Sequence, residues 1–283
     1  MSGITAQAVK SLRDRTGAGM MDCKKALSEA GGDEEKAIDL LRQWGSAKAA
    51  KRAGRDTTEG SVQIVESGDA TAMVAVASET DFVARNADFQ EFARRLAEAV
   101  AASDLDSGRP VDGETLLARP AFAPFANEVA DLRSRIGENI QVHRAVRFAA
   151  APDRALGSYL HFDGKRGVVV ELEGAEGDDA RAVAGQVAMH VAATRPAGVT
   201  PEDIPADVRD RERAVLAEQT KAEGKPEAIV ERIVEGRMRK FFEQQALLLQ
   251  PFVREPDVTV GELLGRHGEA VTVRGFARFE IGE

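Results

Sequence analysis

A single cysteine, Cys23, in 283 residues excludes a disulfide scaffold and a cysteine-based zinc site, and fits a reducing compartment. Long apolar runs are also missing. Nothing approaches the roughly 18 residues that a membrane helix needs, and the opening MSGITAQAVKSLRDR has no apolar stretch of the secretory kind. The expectation is a soluble, cytoplasmic protein with no membrane partner. Positive charge is in short supply, with 38 Lys+Arg against 47 Asp+Glu and a net charge of −9, which argues against a generic nucleic-acid binder. Catalytic signatures are absent too. Gly164-Lys165 and Gly224-Lys225 lack the hydroxyl residue of a phosphate loop, and no Gly-x-Ser-x-Gly elbow or His-Glu-x-x-His helix occurs. The four histidines stand singly at 143, 161, 190 and 267, a poor basis for a metal site. These absences lead to the expectation of a non-enzyme without cofactor or metal.

What is present is enough apolar residue, 43 % of the chain, to build real cores, over a length that suits two or three small domains. The charge is unevenly spread. Residues 1–55 carry 11 basic and 7 acidic side chains, so this part is net positive while the remainder is strongly negative. Within it, RQWGSAKAAKRAGR (42–55) has five bases and no acid. This tract reads either as a solvated linker or as a contact for RNA, with Lys48, Lys51 and Arg52 at its centre.

Periodicity divides the chain further. Residues 4–44 predict three short helices: one capped by Thr5, one over roughly 22–30 stopped by Gly31-Gly32, and one capped by Asp33. SVQIVESGDATAMVAVAS (61–78) alternates about a Ser-Gly-Asp turn and predicts a β-hairpin, followed by a helix over 88–102. Residues 103–125 read as loop, 127–136 as helix and 139–150 as strand. The hairpin-and-helix plan then returns in GSYLHFDGKRGVVVELEG (157–174) and a helix over 179–194, an approximate internal duplication. Two helices over 206–224 and 226–242, joined by Gly-Lys-Pro, predict a projecting hairpin. A short Thr259-capped helix and a strand over 271–281 complete the second sheet. The fold class is α+β, divided as 1–55, 56–149, 150–198 with 243–283, and an insertion at 199–242.

Two stretches stand out. In LRDRTGAGMMDCKKAL (12–27), a glycine-relaxed loop presents Met20 and Met21 beside Arg13, Lys24 and Lys25. Adaptable methionines suit a docking loop, while core filling by one of them is the plainer alternative. In SETDFVARN (78–86), Thr80 or Asp81 caps a helical turn, with Phe82 either tucked inward or pushed into a partner's cleft.

Both stretches closely resemble the two signatures of the bacterial elongation factor Ts family, guanine-nucleotide exchange factors for the GTPase elongation factor Tu. The likeness continues through IGENIQVHR, GSYLHFDG, AMHVAAT, GKPEAIVERIVEGRMRKF, QPFV and RFEIG. It implies a ubiquitin-associated-like three-helix domain, a core of two related α+β subdomains and an inserted coiled coil. It also implies elongation factor Tu as partner, in a 1:1 complex or a symmetric dimer of such pairs. By motif, Arg13, Met20, Met21 and Lys24 would dock on the nucleotide domain of the GTPase. Thr80, Asp81, Phe82 and Val83 would form the loop intruding beside its magnesium and phosphate site, and His161 would touch another of its domains. Where the family usually has Glu-hydrophobic-Asn before the second signature, this chain has Ala75-Val76-Ala77, so the support of that loop is expected to differ. The 103–125 loop looks longer than in familiar members. Some members also add a helix after the last strand, and this chain ends at Glu283, so that contact is expected to be missing.

Overall fold

The computed structural model describes residues 4–52, 54–224 and 226–283, and for 45–52 the backbone alone. The side chains of Lys48, Lys51 and Arg52 therefore lie outside the described residues. Helix α1 (Ala6–Thr16) starts where Thr5 Oγ1 accepts the Ala8 N–H, and ends at Gly17, whose φ of 66° lets its N–H return to the Arg13 carbonyl. Helix α2 (Met20–Glu29) follows, then Gly31-Gly32, and Asp33 accepts the Lys36 N–H to open α3 (Glu34–Arg52). Val9, Leu12, Cys23, Ala26, Leu27, Ala37 and Leu41 form the small core of this unit. One boundary differs from expectation. Met20 and Met21 are the first turn of α2 rather than part of a loop, because Gly19 supplies the extended residue before the helix and accepts the Cys23 N–H.

Strands β1 (Glu59–Ser67) and β2 (Ala70–Ser78) form the expected hairpin, with Glu59 opposite Ser78. A single helical turn, α4 (Asp81–Ala84), leads to Asn86-capped α5 (Ala87–Ala101), which buries Phe89, Phe92, Leu96 and Val100. The helix expected over 127–136 already begins at Ala123, and residues 103–125 are not a plain loop. Strand β3 (Val111–Asp112), helix α6 (Gly113–Leu117) and a 3₁₀ turn at Pro120–Phe122 occupy it. Leu116 and Phe122 are buried there, an anchoring pattern too short to show as periodicity among the prolines and glycines. Helix α7 (Ala123–Ile136) stops at Gly137, and β4 (Ile140–Ala149) pairs with β2, giving the sheet order β1-β2-β4-β3.

The second half repeats the plan. Strands β5 (Arg154–Leu160) and β6 (Arg166–Glu173) make a hairpin, and α8 (Gly177–Thr194) covers it. Helices α9 (Ala206–Ala222) and α10 (Glu227–Gln245) pack together, Leu216 and Ala217 against Val230, Val234 and Met238, while Arg237 reaches across to Thr220 (3.2 Å) and Glu223 (2.8 Å). A small ribbon of β7 (Pro251–Phe252) and β8 (Glu255–Thr259) precedes α11 (Val260–Gly265), which opens with a Thr259–Glu262 capping box. Strand β9 (Thr272–Glu280) then pairs with β6, giving β5-β6-β9. In both sheets the strand in the β2 or β6 position shifts register against its later partner, at Ala75/Val76 and at Glu171/Leu172. The duplication thus extends to an irregularity. The sheets meet across Val62, Met73, Phe148, Val169 and Phe279, so the α+β core is continuous. Among the described residues no helix is long and apolar enough to cross a membrane.

Candidate functional site

Singly exposed apolar side chains are ordinary, but large ones standing side by side or at a turn tip mark surfaces for contact. Phe82 is 84 % exposed and Phe162 93 %, while Met21 and Met20 are 74 % and 54 % exposed. Core filling by Met20 or Met21 is thereby ruled out.

The Phe82 turn is built from polar contacts beneath it. Ser78 Oγ donates to the Thr80 carbonyl (3.0 Å), and Thr80 Oγ1 accepts the Val83 N–H to cap α4. With only four residues in that turn, Val83 faces in (7 % exposed) and Phe82 faces out. Thr80 is the cap, as one reading of the sequence had it, but Phe82 is not the residue tucked beneath. The Asp81 carboxylate lies 3.3 Å from Arg85.

Two carboxylates lock this arrangement. Glu138 accepts the Thr80 N–H at 3.0 Å and its hydroxyl at 2.7 Å. Glu79 accepts the Asn139 N–H at 2.6 Å and the Arg55 guanidinium at 3.3 Å, and Asn139 Nδ2 donates to the Arg55 carbonyl at 2.9 Å. Glu138 and Asn139 follow Gly137, whose φ of 86° turns the chain sharply out of α7. Sequence reading missed their role. Their signal was their place in IGENIQVHR, an acid and an amide directly after a glycine. The alanines at 75 and 77 are buried, so the polar support of the turn comes from Glu79 and Glu138.

The other expected residues lie on the N-terminal unit. Arg13 and Lys24 are exposed beside the methionines on α1 and α2. Gly17, in the connection to Met20, lies against Arg135 in the last turn of α7, and Arg135 pairs with Asp88 at 3.2 Å. Arg135, against Gly17, and Glu138, which holds Thr80, are thus three residues apart in the chain.

His161 stands at the tip of the second hairpin. Its Nδ1 is 3.0 Å from Tyr159 Oη, its Nε2 is 3.9 Å from Asp163, and its ring lies 4.4 Å from that of Phe162. This tip touches the first sheet. The Val62 N–H donates to the Gly164 carbonyl (2.7 Å), and Lys165 reaches Glu59 (2.5 Å), the residue opposite Ser78. The tip of the second hairpin and the strand end from which the Phe82 turn leaves consequently lie at the same end of the core.

Two titratable groups outside the exposed turns are shifted by their surroundings. Burial, aided by Arg144, pushes the His143 imidazole down, and burial pushes the Cys23 thiol up, away from a reactive thiolate. Among the described residues no three His, Cys, Asp or Glu side chains converge as metal ligands. The arrangement is one of apolar side chains on rigid polar mounts, suited to filling pockets on another macromolecule.

Known proteins bear on which macromolecule. A family model described as Elongation factor TS matches residues 79–283. The chain is 47 % identical over 284 aligned positions to Elongation factor Ts of Thioalkalivibrio sulfidiphilus, covering 99 % of this chain and 92 % of that relative. It is 45 % identical over 294 positions to Elongation factor Ts of Rhizobium johnstonii, covering 100 % and 94 %. With the family model spanning well over half the chain and the relatives nearly all of it, the protein belongs to the elongation factor Ts family.

Proposed function

We propose that this chain is a cytoplasmic guanine-nucleotide exchange factor that binds elongation factor Tu and speeds its release of GDP, without covalent chemistry of its own. The observation that carries this reading is Phe82, exposed on a turn that Glu138 and Glu79 hold from below. A fixed aromatic side chain is a wedge. It finds apolar cover only when the partner's helices separate, and separation disturbs the groups that hold magnesium and phosphate. Binding is then tighter to the nucleotide-free GTPase, and linkage requires GDP to bind the complex correspondingly more weakly. Asp81, paired with Arg85 at the foot of the wedge, would enter with it beside the magnesium and phosphate site.

In this reading Arg13, Met20, Met21 and Lys24 dock the N-terminal unit, taken as the ubiquitin-associated-like domain of residues 1–55, on the nucleotide domain. The core divides into subdomains at 56–149 and at 150–198 with 243–283, and α9–α10 is the inserted coiled coil of 199–242. His161 touches a second domain of the GTPase. The test is stopped-flow release of fluorescent GDP from elongation factor Tu, with and without this chain. Release should accelerate at least a hundredfold at saturating chain. An unchanged rate rejects the reading, and salt-sensitive RNA binding that vanishes on neutralising Lys48, Lys51 and Arg52 would replace it.

A further inference from the structure

Phe162 has a place in this surface that the family resemblance did not assign. We infer that Phe162, rather than His161 beneath it, is a second apolar anchor for the same GTPase, setting affinity while Phe82 sets the rate of nucleotide release; this rests on the exchange-factor reading above. Three observations carry it. First, His161 is poorly placed to be the anchor itself. Its side chain is 27 % exposed, and Tyr159, Asp163 and the Phe162 ring surround it. Among the described residues Phe162, at 93 % exposed, is the most open of the large apolar side chains, with half-open Leu160 nearby on the same hairpin.

Second, the tip that carries it is stiff. The Gly164 N–H donates to the His161 carbonyl (2.9 Å), the His161 N–H to the Arg166 carbonyl (2.8 Å) and the Lys165 N–H to Asp163 Oδ1 (2.8 Å). The tip is also tied to the first sheet through Val62 and Glu59. An aromatic held this way loses little freedom on binding, which favours affinity. Third, the surface is continuous with the proposed interface, because Glu59 joins the tip to the strand end from which the Phe82 turn leaves. The occupant to which this position commits is an apolar pocket on the same GTPase that the Phe82 turn meets.

The measurement is GDP release from elongation factor Tu against chain concentration, for the wild type, Phe162→Ala, His161→Ala and the double variant. Phe162→Ala should raise the half-saturating concentration about thirtyfold, as expected for loss of a buried aromatic anchor, and leave the saturating rate within twofold. His161→Ala should do less, and the double variant little more than Phe162→Ala, since the imidazole acts through the ring it supports. A half-saturating concentration within twofold of wild type for Phe162→Ala overturns the inference. So does a sedimentation result in which Phe162→Ala dissociates a self-associated free chain and leaves partner binding intact. A wild type that never accelerates release rejects the exchange-factor reading as well, so the two failures are distinguishable.

Discussion

The duplicated core has two ends, and they are chemically unlike. Its hairpins run head to tail, so the tip of the second (161–165) lies beside the open end of the first at Glu59–Val62. The tip of the first, around Ser67-Gly68, lies beside the open end of the second at Arg154. One strand of nine residues separates the two ends, about 27 Å at the usual rise. At the first end stand Phe82 and Phe162, exposed and braced. At the other is a shallow cleft of about 360 Å³ lined by Glu66, Ser67, Thr71, Arg154, Glu176 and Arg181, with Arg154 already paired to buried Glu171 at 3.0 Å. The same architecture thus carries ion-paired charge beside small apolar residues at one end and exposed aromatic side chains at the other. Function follows from what is mounted on a duplicated scaffold, not from the scaffold itself.

The difference can be broken most forcefully at the brace. Glu138→Ala leaves the Thr80 N–H and hydroxyl without their carboxylate; losing such contacts costs about 1–3 kcal/mol. The saturating exchange rate should fall at least about tenfold, while thermal unfolding of the whole chain moves by only a few degrees. Next in size, Gly17→Ala adds a Cβ about 2.8 Å from Arg135 Cδ at a φ of 66°. The N-terminal unit should lose about 1–2 kcal/mol, read as faster amide hydrogen exchange in α1 and α2 with the core unaffected. Met21→Ala removes exposed surface only, so denaturant midpoints should hold while affinity for the GTPase drops about fivefold, less than for a buried aromatic anchor.

Acid sensitivity sharpens the contrast between the halves. His190 on α8 is fully buried, its Nε2 donating to Gln250 at 2.9 Å and its Nδ1 accepting the Val253 N–H at 3.3 Å. Burial lowers its pKa from 6.5, so the unfolded chain takes up a proton more readily and stability falls as pH drops below about 6.5. His143 in the first half is only partly buried and is lowered in the same direction. Urea midpoints between pH 7.5 and 5.5 should therefore flatten more with His190→Gln than with His143→Gln. Glu280 does not interfere in that window. The Arg166 guanidinium, with Arg278, holds its carboxyl at about 2, so its contribution is complete above 4.5 and is lost only as pH falls toward 2. Smallest of all should be Arg181→Ala at the polar end, which leaves exchange within twofold. A tenfold loss there would mean that the two ends are not functionally distinct.

Much of this was legible in the residues. Alternation about Ser-Gly-Asp and Phe-Asp-Gly-Lys, and glycine stops such as Gly31-Gly32, mark elements whose periods and caps are local properties. What escaped was non-local. Glu138 supports Thr80 across 58 residues of chain, and Lys165 meets Glu59 only because two hairpins pack head to tail. The direction of Phe82 was undecidable for a similar reason, since a four-residue turn has no periodicity and Val83 competes for the same inward position. The 103–122 segment hid Leu116 and Phe122 among breakers, where burial is set by the edge of β4 rather than by local pattern.

The most direct test of the wedge is the GDP release rate of elongation factor Tu at saturating Phe82→Ala, with binding of the variant verified separately. The expected result is a chain that still folds and binds, but whose saturating rate is at least tenfold below wild type. A bound Phe82→Ala chain that releases GDP at the wild-type rate would contradict it.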